Sequence, residues 1–231
     1  MKIAVCTPYY GDVTAEYARS LSKMLLHTSR ASITYNGEPT APELEVFMRK
    51  SSVLPRCRNT LAKDAADWGA NYLLWIDADH AFPEYSLIRL LSLNLPVVGV
   101  NYPRRAEPTW PTAVSLEGEL IWTTEELARQ GEVVEVRHLG LGFCLVDMNV
   151  IHALRRPSAD GKPKPLFALE MIGDGLQAVA EDVYFFRRVA ECGYGVYLDH
   201  GLSWDIAHVH QRLLTNAQAA MEREAFERRS G

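Results

Sequence analysis

The stretch NYLLWIDADHAFP, residues 71–83, decides how the whole chain is read. Asn71 to Ile76 is bulky and apolar on both parities, as a central parallel strand must be when helices cover both faces of its sheet. It runs directly into Asp77-Ala78-Asp79-His80. Ligands of open α/β sheets bind outside the carboxyl ends of the strands, so these carboxylates stand where a ligand is expected. Separated by one residue, the two point the same way and can share one hard divalent cation, with a diphosphate supplying further oxygens. A surface turn or a helix cap would use the same residue types; the apolar strand in front tips the reading toward a site.

Working outward, the flanks alternate strand-like and helix-like segments, the pattern of a sheet with helices on both faces. Lys2 to Thr7 is a short apolar run ended by Pro8, hence a first strand, and Tyr17, Leu21, Met24 and Leu25 recur at helical spacing. Ile33 to Tyr35 before Asn36-Gly37 reads as a second strand ending in a turn. Cys57, Leu61, Ala65 and Trp68 mark a helix closed by Gly69, Glu84 to Leu93 another helix, and Val97 to Asn101 another strand. Residues 1–101 therefore read as a nucleotide-binding half of Rossmann type.

Residues 102–214 change character. Val114 to Trp122 and Val133 to His138 look like alternating strands around Gly118 and Gly131, antiparallel additions to the sheet. Gly142 to Val146 reads as a buried strand and Val150 to Arg155 as a short helix, while RRPSADGKPKP, residues 155–165, is a surface loop or lid. Val183, Phe186, Val189 and Ala190 share a helical face that opens just after Glu181-Asp182 and stops at Gly193, followed by a last strand, Val196 to Leu198. Residues 215–231 form a tail, its Ala, Glu and Arg-rich part from Thr215 to Arg229 helical. The fold class expected is one α/β domain with a mixed, mostly parallel central sheet.

Composition removes whole classes of function. With 24 Lys+Arg against 29 Asp+Glu the net charge is -5, which excludes a polybasic nucleic-acid binder. At 48% hydrophobic and 23% charged residues, the chain is no disordered polymer. No apolar run approaches the ~20 residues that span a bilayer. The opening MKIAVCTPYYGD is too short in its apolar part for a secretory leader, so the expectation is a cytoplasmic protein. Cys6, Cys57, Cys144 and Cys192 are scattered, with no C-x-x-C pair, and read as reduced thiols.

With these residues in view, NYLLWIDADHAFP resembles the DXD strand of GT-A fold glycosyltransferases, especially the family 2-like enzymes, and the resemblance extends over most of the chain. AVCTPYYG resembles their first strand, which implies that Thr7, Pro8 and Tyr9 contact the base and ribose of a nucleotide sugar. PRCRNTLAKDA is similar to the helix whose Arg-Asn pair, here Arg58-Asn59, helps close the nucleotide site; Arg56 reads as a surface residue. VVGVNYPRR resembles the segment in which Tyr102 and Arg104 or Arg105 touch sugar or diphosphate, a task that suits the planar fork of Arg. In GLGFCLVDMNVI, Gly140 and Gly142 would let backbone approach the donor sugar, or serve as a strand-entry bend.

The resemblance also implies the chemistry. Glu181-Asp182 matches the family's E-D helix start, where a carboxylate, here Asp182, takes the proton of the acceptor hydroxyl in inverting members. Helix capping is the plainer use of the same pair. HGLSWDIAHVHQ resembles the segment whose His completes the metal or diphosphate site; His208 matches best, His210 competes, and His80 and His200 are weaker candidates. The resulting expectation is a hexosyltransferase in which Mn²⁺ or Mg²⁺, held by Asp79 and His208 with Asp77 beside it, meets the diphosphate of a UDP- or GDP-sugar. An imidazole ligand favours Mn²⁺. A non-catalytic sugar or nucleotide-binding module and a sugar nucleotidyltransferase are the rivals; the second would normally carry a Gly-rich, basic phosphate loop, which TPYYGD is not.

Overall fold

The computed structural model describes residues 1–106, 108–156, 161, 164–175 and 177–210. In chain order the first half contains β1 (Lys2–Tyr9), α1 (Ala15–Ser29), β2 (Ile33–Tyr35), β3 (Glu38–Thr40), β4 (Glu43–Lys50), α2 (Leu54–Asp67), β5 (Tyr72–Ile76), β6 (His80–Ala81), α3 (Ser86–Ser92) and β7 (Val97–Gly99). The second contains α4 (Glu125–Gln130), β8 (Val133–Val136), β9 (Phe143–Asp147), α5 (Met148–Leu154), β10 (Glu170–Ile172), β11 (Gln177–Val179), α6 (Glu181–Glu191), β12 (Val196–Asp199), α7 (His200–Asp205) and β13 (Ala207–His208). Among the described residues no helix is long and apolar enough to cross a membrane. The tail expected over residues 215–231 and part of the loop at 155–165 lie outside the described residues.

Seven strands form one sheet in the order β4-β1-β5-β9-β7-β12-β8. It is mixed: β4, β1 and β5 run parallel, as do β7 and β12, while β9 is antiparallel to both its neighbours and β8 is antiparallel to β12. Period-two alternation distributes the central strands over two cores. Ala4, Cys6, Leu73, Trp75, Cys144 and Val146 pack on the face covered by α2, α5 and α6. Ile3, Val5, Leu74, Ile76, Phe143 and Leu145 pack on the face that receives Tyr17 and Met24 of α1, Leu87 and Leu90 of α3 and Leu202 of α7. Each fully buried side chain of this size contributes about 1.5–3 kcal/mol relative to exposure, which is why β5 has no polar residue until it leaves the sheet.

Several expectations need correction. β1 does not stop before Pro8. Its odd residues bond toward β4, with Ser51 N–H to Tyr9 O at 3.0 Å, and its even residues toward β5, with Asn71 N–H to Lys2 O at 2.8 Å. The N–H that Pro8 lacks thus falls on the β5 side, where pairing has already ended at Cys6, so the ladder loses nothing. Ile33–Tyr35 is not the sheet's second strand: it folds back through Asn36-Gly37, both at positive φ, onto β3 as a separate hairpin. The edge strand is instead β4. Gly131 does not sit between strands; it is the left-handed cap of α4, which Thr124 opens. Val114 to Trp122 contributes only isolated bridges, Val114 to Leu120 and to His138. β12 is followed by the short β13.

Three local devices bring loops to one edge of the sheet. Thr14 caps α1, accepting from Tyr17 N–H at 3.1 Å, while its own N–H donates to Ala78 O at 3.0 Å, which ties the first helix to the turn after β5. β13 pairs antiparallel with β6 in the register His208 to His80, reinforced by Val209 N–H to Asp79 O at 2.7 Å. Asp199 caps α7 and takes two hydrogen bonds from Arg89, at 2.7 and 3.2 Å.

Candidate functional site

A cleft of about 820 Å³ opens at the carboxyl ends of β1, β4 and β5, within the ~300–1,000 Å³ of small-molecule sites. Pro8 and Tyr9 come from the end of β1 and Tyr10 to Asp12 from the loop after it, Ser51 and Ser52 from the loop after β4, Leu54 from the start of α2, and Asp77 to Asp79 from the turn after β5. Arg105 and His208 to His210 close the far wall.

Asp79 and His208 of the lining and the buried His80 form a cluster in which one donor atom from each lies within 4.8 Å of the others. His208 Nδ1 lies 3.0 Å from Pro103 O. A carbonyl can only accept, so Nδ1 is the donor of that contact, and Nε2 is the ring nitrogen turned toward Asp79, 3.5 Å from its Oδ2. His80 is fully buried, stacks on His208 at 4.7 Å and 16°, and meets Tyr102 edge-on at 4.5 Å. Among the described residues neither of its ring nitrogens has a hydrogen-bond partner, though Nδ1 lies 3.4 Å from Asp79 Oδ1. A buried imidazole with both nitrogens unspent costs stability unless something binds it. Burial would push the Asp79 carboxyl up, but the His208 and His80 imidazoles and the Arg105 guanidinium outweigh it and hold Asp79 well below the usual carboxylate range. One carboxylate with one or two imidazoles is a donor set that fits a borderline cation such as Mn²⁺ better than Mg²⁺.

Asp77 plays a different part from Asp79. Its Oδ1 accepts from Arg58 Nη2 at 3.0 Å, and Arg58 Nε reaches Glu181 Oε1 at 3.4 Å. Arg58 is only 2% exposed and lies over the Trp75 ring at 5.2 Å. Burial works against its charge, yet Asp77 and Glu181 outweigh that and keep the guanidinium charged. The cleft wall does not include Arg58, which instead links Asp77 to Glu181. Asn59 is likewise committed: its side chain bonds Pro55 O and Phe167 O and accepts from the N–H groups of Leu166 and Phe167.

Other expected contacts also land elsewhere. Pro8 and Tyr9 line the cleft, but the Thr7 hydroxyl is buried 2.6 Å from that of Tyr17. Strand alternation turns its side chain into the core. Tyr102 lies beneath the histidines with its hydroxyl accepting from Gly142 N–H at 3.0 Å, and burial pushes its pKa up. Of the two arginines that follow, Arg105 reaches the cleft, with Nη1 2.8 Å from Asp79 Oδ2, whereas Arg104 does not line it. Gly140 and Gly142 make room for these rings rather than for a ligand: a Cβ at Gly140 would lie 2.2 Å from Tyr102 Oη, and one at Gly142 2.5 Å from His80 Cε1. His200 is buried under α4, with Nδ1 3.0 Å from Thr123 Oγ1. His210 is exposed at the cleft rim.

At the start of α6, Ala180 is the N-cap and no side chain caps the helix. Asp182 Oδ1 accepts from Val183 N–H at 2.7 Å, leaving its other oxygen without a hydrogen bond from a described residue. Burial raises the Asp182 pKa against the opposing pull of that N–H, Arg58 and Arg104; burial also raises that of Glu181, with Arg58 opposing. The helix start thus presents two carboxyls of unlike duty, Glu181 tied to Arg58 and Asp182 able to accept a proton.

No protein-family model matches the chain, and no curated protein sequence does. Solved structures match its fold. A197 from STIV aligns over 93% of this chain and 97% of its own at 14% identity and a TM-score of 0.54. GalNAc-T7, in a structure with UDP, GalNAc and Mn²⁺, aligns over 91% of this chain and 44% of its own at 11% identity and a TM-score of 0.53. At such identities the likeness is one of architecture, and the architecture it gives this chain is the GT-A-type α/β fold found in glycosyltransferases.

Proposed function

We propose that the chain is a metal-dependent glycosyltransferase that moves a sugar from a nucleoside-diphosphate sugar to an acceptor hydroxyl. The observation that carries this reading is the Asp79-His80-His208 cluster, of which Asp79 and His208 line a cleft at the carboxyl ends of β1, β4 and β5. The presence of UDP and Mn²⁺ in GalNAc-T7, of the same fold type, supports the choice of ligand. Asp79 and His208, with His80 beside them, would hold a divalent cation, which would supply Lewis-acid neutralisation of the charge that grows on the departing diphosphate. Residues 8–12, 51–54 and 77–79 bind the nucleotide portion, and the donor is a UDP- or GDP-hexose.

In this reading Asp182 is the base. The acceptor oxygen attacks the anomeric carbon, the bond from that carbon to the diphosphate oxygen breaks with its electron pair leaving on the diphosphate, and the acceptor proton passes to Asp182. Attack from the face opposite the leaving group inverts the anomeric centre. Glu181 positions Asp182 through Arg58, and residues 102–214 select the acceptor. The unpaired cysteines, three of them buried, suit a cytoplasmic setting.

The test is turnover against a panel of UDP- and GDP-sugars with and without Mn²⁺. Metal-dependent release of nucleoside diphosphate is the expected result. Release of pyrophosphate in the presence of sugar phosphate and nucleoside triphosphate would identify a nucleotidyltransferase. A rise in melting temperature with one nucleotide sugar but no turnover with any acceptor or water would identify a binding module.

A further inference from the structure

Asp79 Oδ2 has two polar neighbours. His208 Nε2 stands 3.5 Å from it, and Arg105 Nη1 stands 2.8 Å from the same oxygen. The second contact is the closer one and is an ion pair. Arg105 is half exposed, with 51% of its side chain accessible, and belongs to the irregular stretch after β7 that no strand or helix holds in place. It also lines the cleft in which the nucleotide reading places a diphosphate.

We propose that Arg105 is a stand-in cation for Asp79: its guanidinium and a divalent metal compete for the same carboxylate oxygen, and the diphosphate resolves the competition by taking Arg105 over. The inference rests on the metal and nucleotide reading of this cleft and adds a binding order to it. Two positive groups cannot share one carboxylate oxygen at hydrogen-bond distance without strong repulsion. Metal entry therefore frees Arg105. A free guanidinium beside a diphosphate gains paired hydrogen bonds that its planar fork is built to make. Each ligand thus removes an obstacle to the other, and thermodynamic linkage makes the benefit equal in both directions. Neither the buried His80 nor the partly buried His208 pairs with Arg105, so the exchange does not draw on them.

Mn²⁺ binding, read by electron paramagnetic resonance of the free ion and by calorimetry, tests this with no turnover required. In the wild type, UDP should tighten Mn²⁺ binding by a factor in the ~5–150-fold range of allosteric couplings. Arg105→Ala should bind Mn²⁺ alone roughly tenfold more tightly than the wild type, and the enhancement by UDP should shrink by a similar factor. Arg104→Ala, which removes an equal charge one residue away, should leave the metal-only affinity within about twofold, separating competition from the general field. Arg105 is exposed enough that the variant folds, and its melting temperature verifies this. If Arg105→Ala leaves metal-only affinity unchanged or weaker while UDP still enhances it, the competition is overturned and the glycosyltransferase reading stands. If the wild type binds no Mn²⁺ with or without nucleotide, both fall together.

Discussion

His208 stands directly across from His80 in the β6–β13 ladder, and the two rings stack at 4.7 Å. Residues two apart share a strand face, so alternation does not separate 208 from 210, and it is this register that brings His208 to Asp79. His208→Ala should weaken Mn²⁺-dependent UDP binding by more than the ~10–100-fold that losing an outer partner of a metal ligand costs. His210→Ala should change it by no more than about twofold, as expected of an exposed rim residue. Calorimetry with and without chelator measures both; reversed effects would mean that the ladder slides by two residues.

Asp182→Asn should leave donor binding intact and lower turnover by ~10²–10⁴-fold, because the amide keeps the shape but cannot take a proton. The pH profile of the wild type carries a second signature. A base works only when deprotonated, and burial raises the Asp182 pKa. The acid limb should therefore lie above the pH at which an ordinary aspartate would produce it, and activity should fall as pH drops through it. Wild-type turnover in the amide variant would remove Asp182 from the chemistry and turn attention to Glu181.

Gly140 and Tyr102 should behave as an interacting pair. A methyl at 140 would lie 2.2 Å from Tyr102 Oη and 2.6 Å from Cζ, far inside contact distance. Gly140→Ala is expected to destabilise by about 1–3 kcal/mol, the usual penalty for overpacking. Tyr102→Phe loses the bond from Gly142 N–H and should cost about 1 kcal/mol. In the double variant the smaller ring gives the methyl part of its space, so urea unfolding should show less destabilisation than the two single changes added together. Simple additivity would count against the packing described.

His138 gives stability a pH dependence of its own. Burial, with Arg104 and Arg137 nearby, holds its imidazole below the ordinary value, and its Nδ1 has no hydrogen-bond partner among the described residues. In the unfolded chain it titrates near ~6.5, so as pH falls through that value the unfolded state takes up the proton first. Its contribution is complete above the unfolded pKa and is lost progressively below it. Urea midpoints should decline on acidification below about pH 6.5, and His138→Gln should flatten that decline. His200, also lowered chiefly by burial, leaves a residual slope. An identical slope in the variant would exclude His138 as a source.

The parts of the fold that were legible in the sequence are those whose signal is local. β5 and α6 each bury a continuous apolar pattern and each lead into or out of carboxylates, so both could be read from a dozen residues. β4 escaped because ELEVFMRK has charges on both parities, as an edge strand can. α4 has six residues and buries none of them, so it has no apolar stripe to find. The site divides in the same manner. Asp79 and His80 are neighbours in the chain, but nothing near position 80 reveals that residue 208 lies opposite. Thr7 and Arg58 have the residue types of ligand contacts, and only the tertiary structure shows that Tyr17 and the Asp77-Glu181 pair have already taken them.

The ion pair of Arg58 with Glu181 joins residues 123 positions apart, and this bears on how the protein can be re-engineered. A chimera that keeps the first hundred residues and imports a foreign acceptor half must bring an acid at the position of Glu181, or it inherits a buried cation with half its counter-charge missing. The reverse graft, a new nucleotide half on this α6, must bring an arginine from the α2 position for the same reason. The junction at residue 101 is easy to cut in sequence, but the two pieces are matched through one guanidinium, and swaps that ignore it should yield insoluble chains even when every strand is compatible.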